Sequence, residues 1–180
     1  MSIIGQTLLN ELVVNKGITE VNEILMQMRE YIIHYLHQKG EAGEARDGMD
    51  MALCRMDISK NKLSYAGAHN SLYLMRGGEL IEYKGSMRPV GYYLGKGIPF
   101  EKEEIEIKKG DVIYLFSDGY ADQFGGPKGK KFMYGKFKKL LLSIHEKEMA
   151  EQKRILDDTL KDWMKGYEQI DDICIMGVRV

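Results

Sequence analysis

The sequence has 180 residues, and its 26 Lys and Arg stand against 27 Asp and Glu for a net charge of -1. That balance argues against a nucleic-acid binder working through bulk positive charge. No stretch approaches the roughly 20 apolar residues that span a bilayer, which excludes direct membrane insertion. Hydrophobic residues make up 44% and charged residues 29%, the proportions of a globular protein, and the length fits one domain over residues 1–180. The opening segment lacks a basic stretch and carries Glu11 within its apolar pattern, so it reads as a helix and not as a secretion signal. Cys54 and Cys174 each sit in an apolar run and read as buried, reduced thiols in the cytoplasm.

Ile3, Ile4, Leu8, Leu9, Leu12 and Val13 fall on one helical face, and Asn15-Lys16-Gly17 ends that helix. Thr19 is placed to cap a second helix, whose stripe of Val21, Leu25, Met28, Ile32, Tyr35 and Leu36 runs to His37. Asn22, not Glu or Gln, is the third residue after Thr19, so no capping box forms. Gln38 to Arg46 is polar and reads as a loop. A strand then covers Met49 to Met56, Asp57 to Lys62 turns, and short strands follow at Leu63–Ala66 and Leu72–Met75. Gly77-Gly78 predicts a hairpin returning through Glu79–Tyr83. Ile105 and Ile107 alternate with charges, and Val112 to Phe116 reads as a buried strand. A Gly- and Lys-rich loop spans Gln123 to Lys131, followed by helices at Tyr134–Ile144 and Met149–Met164. The chain closes on an apolar strand from Ile170 to Val180, with two carboxylates at its start. Two helices, a block of mostly antiparallel strands, two helices and a strand suggest an α+β arrangement of sheets covered by helices. An opening helix pair with no strand to pack on suggests that a strand-bearing segment precedes it.

Three acidic clusters could carry chemistry. Ser117-Asp118-Gly119 follows the buried strand directly and sets a carboxylate at a strand end, where Mg²⁺ or Mn²⁺ would find an oxygen ligand. Asp118 could equally cap a short helix. Asp171 and Asp172 repel each other at the start of the last strand; a cation would relieve the strain, and so would solvation in the preceding loop. Side by side, the two strands would bring these carboxylates to one sheet edge. Asp50, in Asp47-Gly-Met-Asp50, needs a partner or water; it is read as structural or as support for the site. The loop Phe124 to Lys131, with Lys128, Lys130 and Lys131, could guide a phosphorylated partner by charge or could be a solvated, mobile loop. It is not a P-loop, because no Gly-Lys-Ser/Thr closes it. His69 shapes a turn or approaches the site; His34 and His37 have no zinc-like context. Ser117 and Ser143 lack the glycines of a nucleophile elbow.

The blocks Asp47-Gly-Met-Asp50, Ala66-Gly-Ala-His-Asn70, Pro89-Val-Gly-Tyr92, Gly110 to Gly119, Asp122-Gln-Phe-Gly-Gly126 and Gln169-Ile-Asp-Asp-Ile173 occur together and in order. From about Ile3 to the C-terminus the sequence resembles the SpoIIE-type branch of the PPM metal-dependent serine/threonine phosphatases. The resemblance implies an α-β-β-α sandwich holding two Mn²⁺ or Mg²⁺ ions at one end. It implies hydrolysis of phosphoserine or phosphothreonine by a metal-activated water, with no catalytic side chain beyond the metal ligands. Asp118 and Asp171 match family metal ligands, with Gly119, Asp172 and Asp50 supporting. The implied partner is a phosphorylated regulatory protein, such as an anti-anti-sigma factor, under control of an upstream sensor region. Family members begin with strands and an Asp-x-x-Gly-His-Gly block that this sequence does not contain. A domain lacking its first strands is therefore expected, with an incomplete metal site, impaired turnover and sheet edges exposed to homodimerisation. The alternative is a non-catalytic protein-interaction module of the same fold.

Overall fold

Helix α1 spans Ser2–Asn10 and passes into a π-helical turn over Glu11–Asn15, closed by a bond from the Lys16 amide to the Glu11 carbonyl at 3.0 Å. Gly17, at φ +67°, then reverses the chain as its sequence position predicts. Helix α2 covers Val21–Tyr35. Its N-cap is Glu20 and not Thr19, and Glu20 makes no capping bond because its carboxylate is held by Lys102 at 2.8 Å. Val21, Ile24, Leu25, Met28 and Ile32 are buried, but Tyr35 and Leu36 are exposed, so the apolar stripe ends one turn before the predicted point. The computed structural model describes residues 2–38, 47–93 and 97–180. Most of the loop expected over Gln38 to Arg46 lies outside those residues.

The described chain falls into two units, Met1–Leu72 with Tyr83–Ile107 and Tyr73–Glu82 with Lys108–Val180. In the first, the expected strand from Met49 is broken at Asp50 into β1 (Gly48–Met49) and β2 (Met51–Asp57). β1 pairs with the short β6 (Val90–Gly91), which the sequence reading did not find. β2 pairs antiparallel with β3 (Lys62–Ala68), and β7 (Glu103–Glu106) adds to the far side of β3. Between β2 and β3, Asp57 caps a single 3-10 turn over Ile58–Lys60, and Asn61 takes the left-handed conformation. Leu12, Leu25, Met28 and Ile32 pack with Ala66, Ala68 and Phe100 to form this unit's core.

The second unit holds a four-stranded sheet in the order β11-β8-β4-β5. Its strands are β4 (Leu72–Arg76), β5 (Glu79–Tyr83), β8 (Val112–Phe116) and β11 (Ile175–Arg179). Helices α4 (Tyr134–Ile144) and α5 (Met149–Trp163) match their predicted bounds to within a residue. Tyr73, Phe116, Tyr120, Phe132 and Phe137 fill the core, with Phe116 meeting Phe137 edge-on at 5.1 Å. Gly77 at φ +57° and Gly78 at φ +81° form the β4–β5 turn, where two positive φ values match the twist of a two-residue hairpin. A Cβ on Gly78 would meet nothing within 4 Å, so Gly78→Ala isolates the backbone cost. Chemical denaturation of that variant is expected to show a loss of about 1 kcal/mol.

Candidate metal-binding site

Strand β8 ends at Phe116, and Ser117 and Asp118 lead into the single turn α3 (Gly119–Asp122). The register Ile175↔Phe116 sets this turn beside the residues that precede β11. Ser117 ties the two together. Its amide donates to the Cys174 carbonyl at 3.0 Å, and its Oγ donates to the Asp172 carbonyl at 2.8 Å. The same Oγ accepts from the Cys174 amide at 2.9 Å. Gly119 completes the approach, since a Cβ there would lie 2.4 Å from the Asp172 carbonyl oxygen. Asp118 and the Asp171-Asp172 pair therefore share one end of the sheet, as expected from two apolar strands lying side by side. Ser117→Ala removes both side-chain bonds and is expected to cost about 1–2 kcal/mol in urea unfolding.

Asp118 occupies the N-cap position of α3, where the capping alternative places it, and makes no side-chain capping bond. Asp171 and Asp172 are exposed, and the Asp172 amide donates to the Asp171 carboxylate at 2.7 Å. The last strand starts at Ile175, not Ile170, and is largely exposed because β11 is an edge strand. Burial therefore does not force these carboxylates apart, and solvent shares in relieving their repulsion. Cys174 is exposed as well, contrary to the buried thiol expected there. Cys54 lies deeper, and burial pushes its thiol up to about 12, so it stays protonated and unreactive at neutral pH.

Asp50 and His69 belong to the first unit, where the His69 Nδ1 lies 2.8 Å from the Asp50 carboxylate. His69 sits at φ +58° and its amide donates to the Ser86 carbonyl at 2.9 Å, which supports the turn-shaping reading. The pairing joins two residues that the sequence reading treated separately; 19 positions apart, one between β1 and β2 and the other just past β3, they give no local signal. The Gly- and Lys-rich segment is a paired turn and not an irregular loop throughout. Phe124–Gly125 (β9) and Lys130–Lys131 (β10) form a small hairpin, and Gly126 donates to the Trp163 carbonyl at 2.8 Å. Trp163 Nε1 in turn donates to the carbonyl of fully buried Gln123 at 3.0 Å. Lys128 and Lys130 are exposed, whereas Lys131 is paired with Asp122 at 2.8 Å.

The site thus offers carboxylate oxygens from two adjoining segments, the donor chemistry that hard divalent cations select. Among the described residues there is no group of three or more His, Cys, Asp or Glu side chains placed to hold a metal. The donors fit Mn²⁺ or Mg²⁺ in kind.

The family model for stage II sporulation protein E matches residues 3–180. The chain belongs to the SpoIIE family. This SpoIIE chain is 26% identical to the SiaA-PP2C domain of Pseudomonas aeruginosa, with a TM-score of 0.87 over 99% of this chain and 68% of that one. The PP2C phosphatase domain of Bacillus subtilis SpoIIE, solved with a fragment of its regulatory domain, shares the fold. There the identity is 16% and the TM-score 0.73, over 99% of this chain and 49% of that one. An Mn-presoaked crystal of the Bacillus subtilis phosphatase domain gives 17% identity and a TM-score of 0.59, over 96% and 70% of the two chains. Comparison with curated proteins finds no match. The SpoIIE chain is accordingly a serine/threonine phosphatase domain of the PPM family, with that family's α+β fold. None of its described helices is long and apolar enough to cross a membrane.

Proposed function

We propose that this SpoIIE domain hydrolyses phosphoserine or phosphothreonine on a regulatory signalling protein, with Asp118 and Asp171 as ligands of Mn²⁺ or Mg²⁺. An anti-anti-sigma factor is the substrate class that the family resemblance implies. The observation that carries the reading is the Ser117 and Gly119 contact with Asp172, which brings both acidic segments to one end of the sheet. A bound cation would supply water activation and charge neutralisation at the phosphoester. The protein's own residues do the positioning. Asp118 and Asp171 offer oxygens, Ser117 fixes the distance between their segments, and Gly119 leaves no side chain in the gap. Asp172 presents its carbonyl to Ser117 and its amide to Asp171. Exposed Lys128 and Lys130 attract the phosphorylated partner by charge, while Lys131 steadies the hairpin through Asp122.

The family match across residues 3–180 supports one domain made of both units. With two carboxylates contributed here, metal affinity and turnover fall below those of a complete PPM site. Edge strand β11 exposes Met176 and Val178, which supports pairing between two copies. The reading is tested by phosphate release from a phosphoserine protein by this chain, with Mn²⁺ or with EDTA. Release with Mn²⁺ that EDTA abolishes is the expected result. Absence of Mn²⁺-dependent release would overturn the phosphatase reading in favour of a non-catalytic interaction module.

A further inference from the structure

The first unit contains a cavity of about 360 Å³ on the flank of α2, with none of Asp118, Asp171 or Asp172 in its lining. Arg29, Glu30, Ile33, His34 and Tyr93 line it. Arg29 is 5% exposed, yet its guanidinium donates to neutral acceptors, the Ile98 carbonyl at 3.0 Å and the Met26 sulfur at 3.3 Å. A guanidinium held only for structure would be expected against a carboxylate. Here a second guanidinium stands close by. Arg29 lies 5.3 Å and Arg88 5.9 Å from the centre of the same Phe100 ring, and the Arg88 Nε is buried without a hydrogen-bond partner. Among the described residues, no carboxylate forms an ion pair with either arginine. Burial, and then the Arg88 charge, hold the Arg29 pKa below its ordinary value, with exposed Glu30 opposing them. Arg29 lines the cavity and Arg88 is its neighbour, and two such cations are stabilised most by a ligand carrying two negative charges. At neutral pH a phosphate monoester does so, with oxygens suited to the guanidinium fork.

We propose that the cavity lined by Arg29, with Arg88 as that guanidinium's neighbour, binds a phosphate monoester group without using Asp118 or Asp171. The group is either inorganic phosphate or the phosphoryl group of a phosphoserine side chain. His34 stands on the rim as a further donor.

The test titrates inorganic phosphate and a phosphoserine peptide into the chain in EDTA at constant ionic strength, following amide NMR shifts. Saturable shifts at His34 and Tyr93 are expected with one or both probes. A tighter peptide assigns the ligand as a phosphoryl side chain, and equal or tighter free phosphate assigns it as the ion. Arg88→Gln is expected to weaken binding by roughly tenfold or more. Glu30→Gln, at an exposed position that removes the opposing charge, is expected to tighten it. Asp118→Asn should leave it unchanged, and because EDTA is present the result stands apart from the metal-dependent reaction. Absence of saturable binding, indifference to both Arg88→Gln and Glu30→Gln, or loss of binding in Asp118→Asn would overturn the proposal.

Discussion

Gly119→Ala is expected to lower stability by about 3 kcal/mol and to abolish metal-dependent turnover. The new Cβ would sit 2.4 Å from the Asp172 carbonyl oxygen and 3.1 Å from an Ile173 side-chain carbon. The closer obstacle is backbone and cannot rotate aside. Gly119 has a negative φ, so the effect is purely one of contact and owes nothing to a left-handed conformation. Relief requires the Asp118 turn to part from the Asp171-Asp172 segment, which stretches both Ser117 side-chain bonds. Denaturant unfolding reads the stability loss. Backbone amide shifts confined to residues 117–119 and 171–174 would show that the damage is local to the site.

Asp111→Ala is expected to cost about 3 kcal/mol at neutral pH, since removing one partner of a buried ion pair leaves the other uncompensated. Asp111 is 2% exposed and accepts from Arg76 Nε at 2.9 Å, Arg76 Nη2 at 2.6 Å and the Lys108 amide at 2.8 Å. Arg76 keeps 28% of its side chain in solvent, which places the cost at the low end for buried pairs. Burial raises the Asp111 pKa, but the Arg76 bonds and the Lys108 amide outweigh it and hold the carboxyl below its usual range. A carboxyl depressed in the folded state contributes its stability above the unfolded pKa near 4 and loses it as pH falls through the folded value. Equilibrium unfolding of wild type and Asp111→Asn should therefore differ most at neutral pH and converge below about pH 4.

Much of this architecture was legible because local signals were strong. The spacing of Val21, Leu25, Met28 and Ile32 marks α2, and the paired positive φ values at Gly77 and Gly78 answer to a Gly-Gly turn between apolar runs. Both late helices follow from their periodicity. The failures lie where tertiary contacts decide. Gly125 and Gly126 read as a loop until Trp163, 37 residues beyond Gly126, packs against them. The last strand reads as buried from its composition, but it is an edge, so Met176 and Val178 face solvent. Asp118 and Asp171 are candidate ligands because they stand in sequence blocks that resemble the family's. Ser117, whose hydroxyl bridges their segments, looks in sequence like any residue at a strand end.

The pairing of Asp118 with Asp171 on one cation is tested most directly by an Mn²⁺ binding isotherm, recorded by electron paramagnetic resonance on wild type, Asp118→Asn and Asp171→Asn. Wild type should bind Mn²⁺ saturably, and each variant should weaken that binding by at least tenfold. Binding of equal strength in all three would contradict the assignment of these carboxylates as a shared metal site.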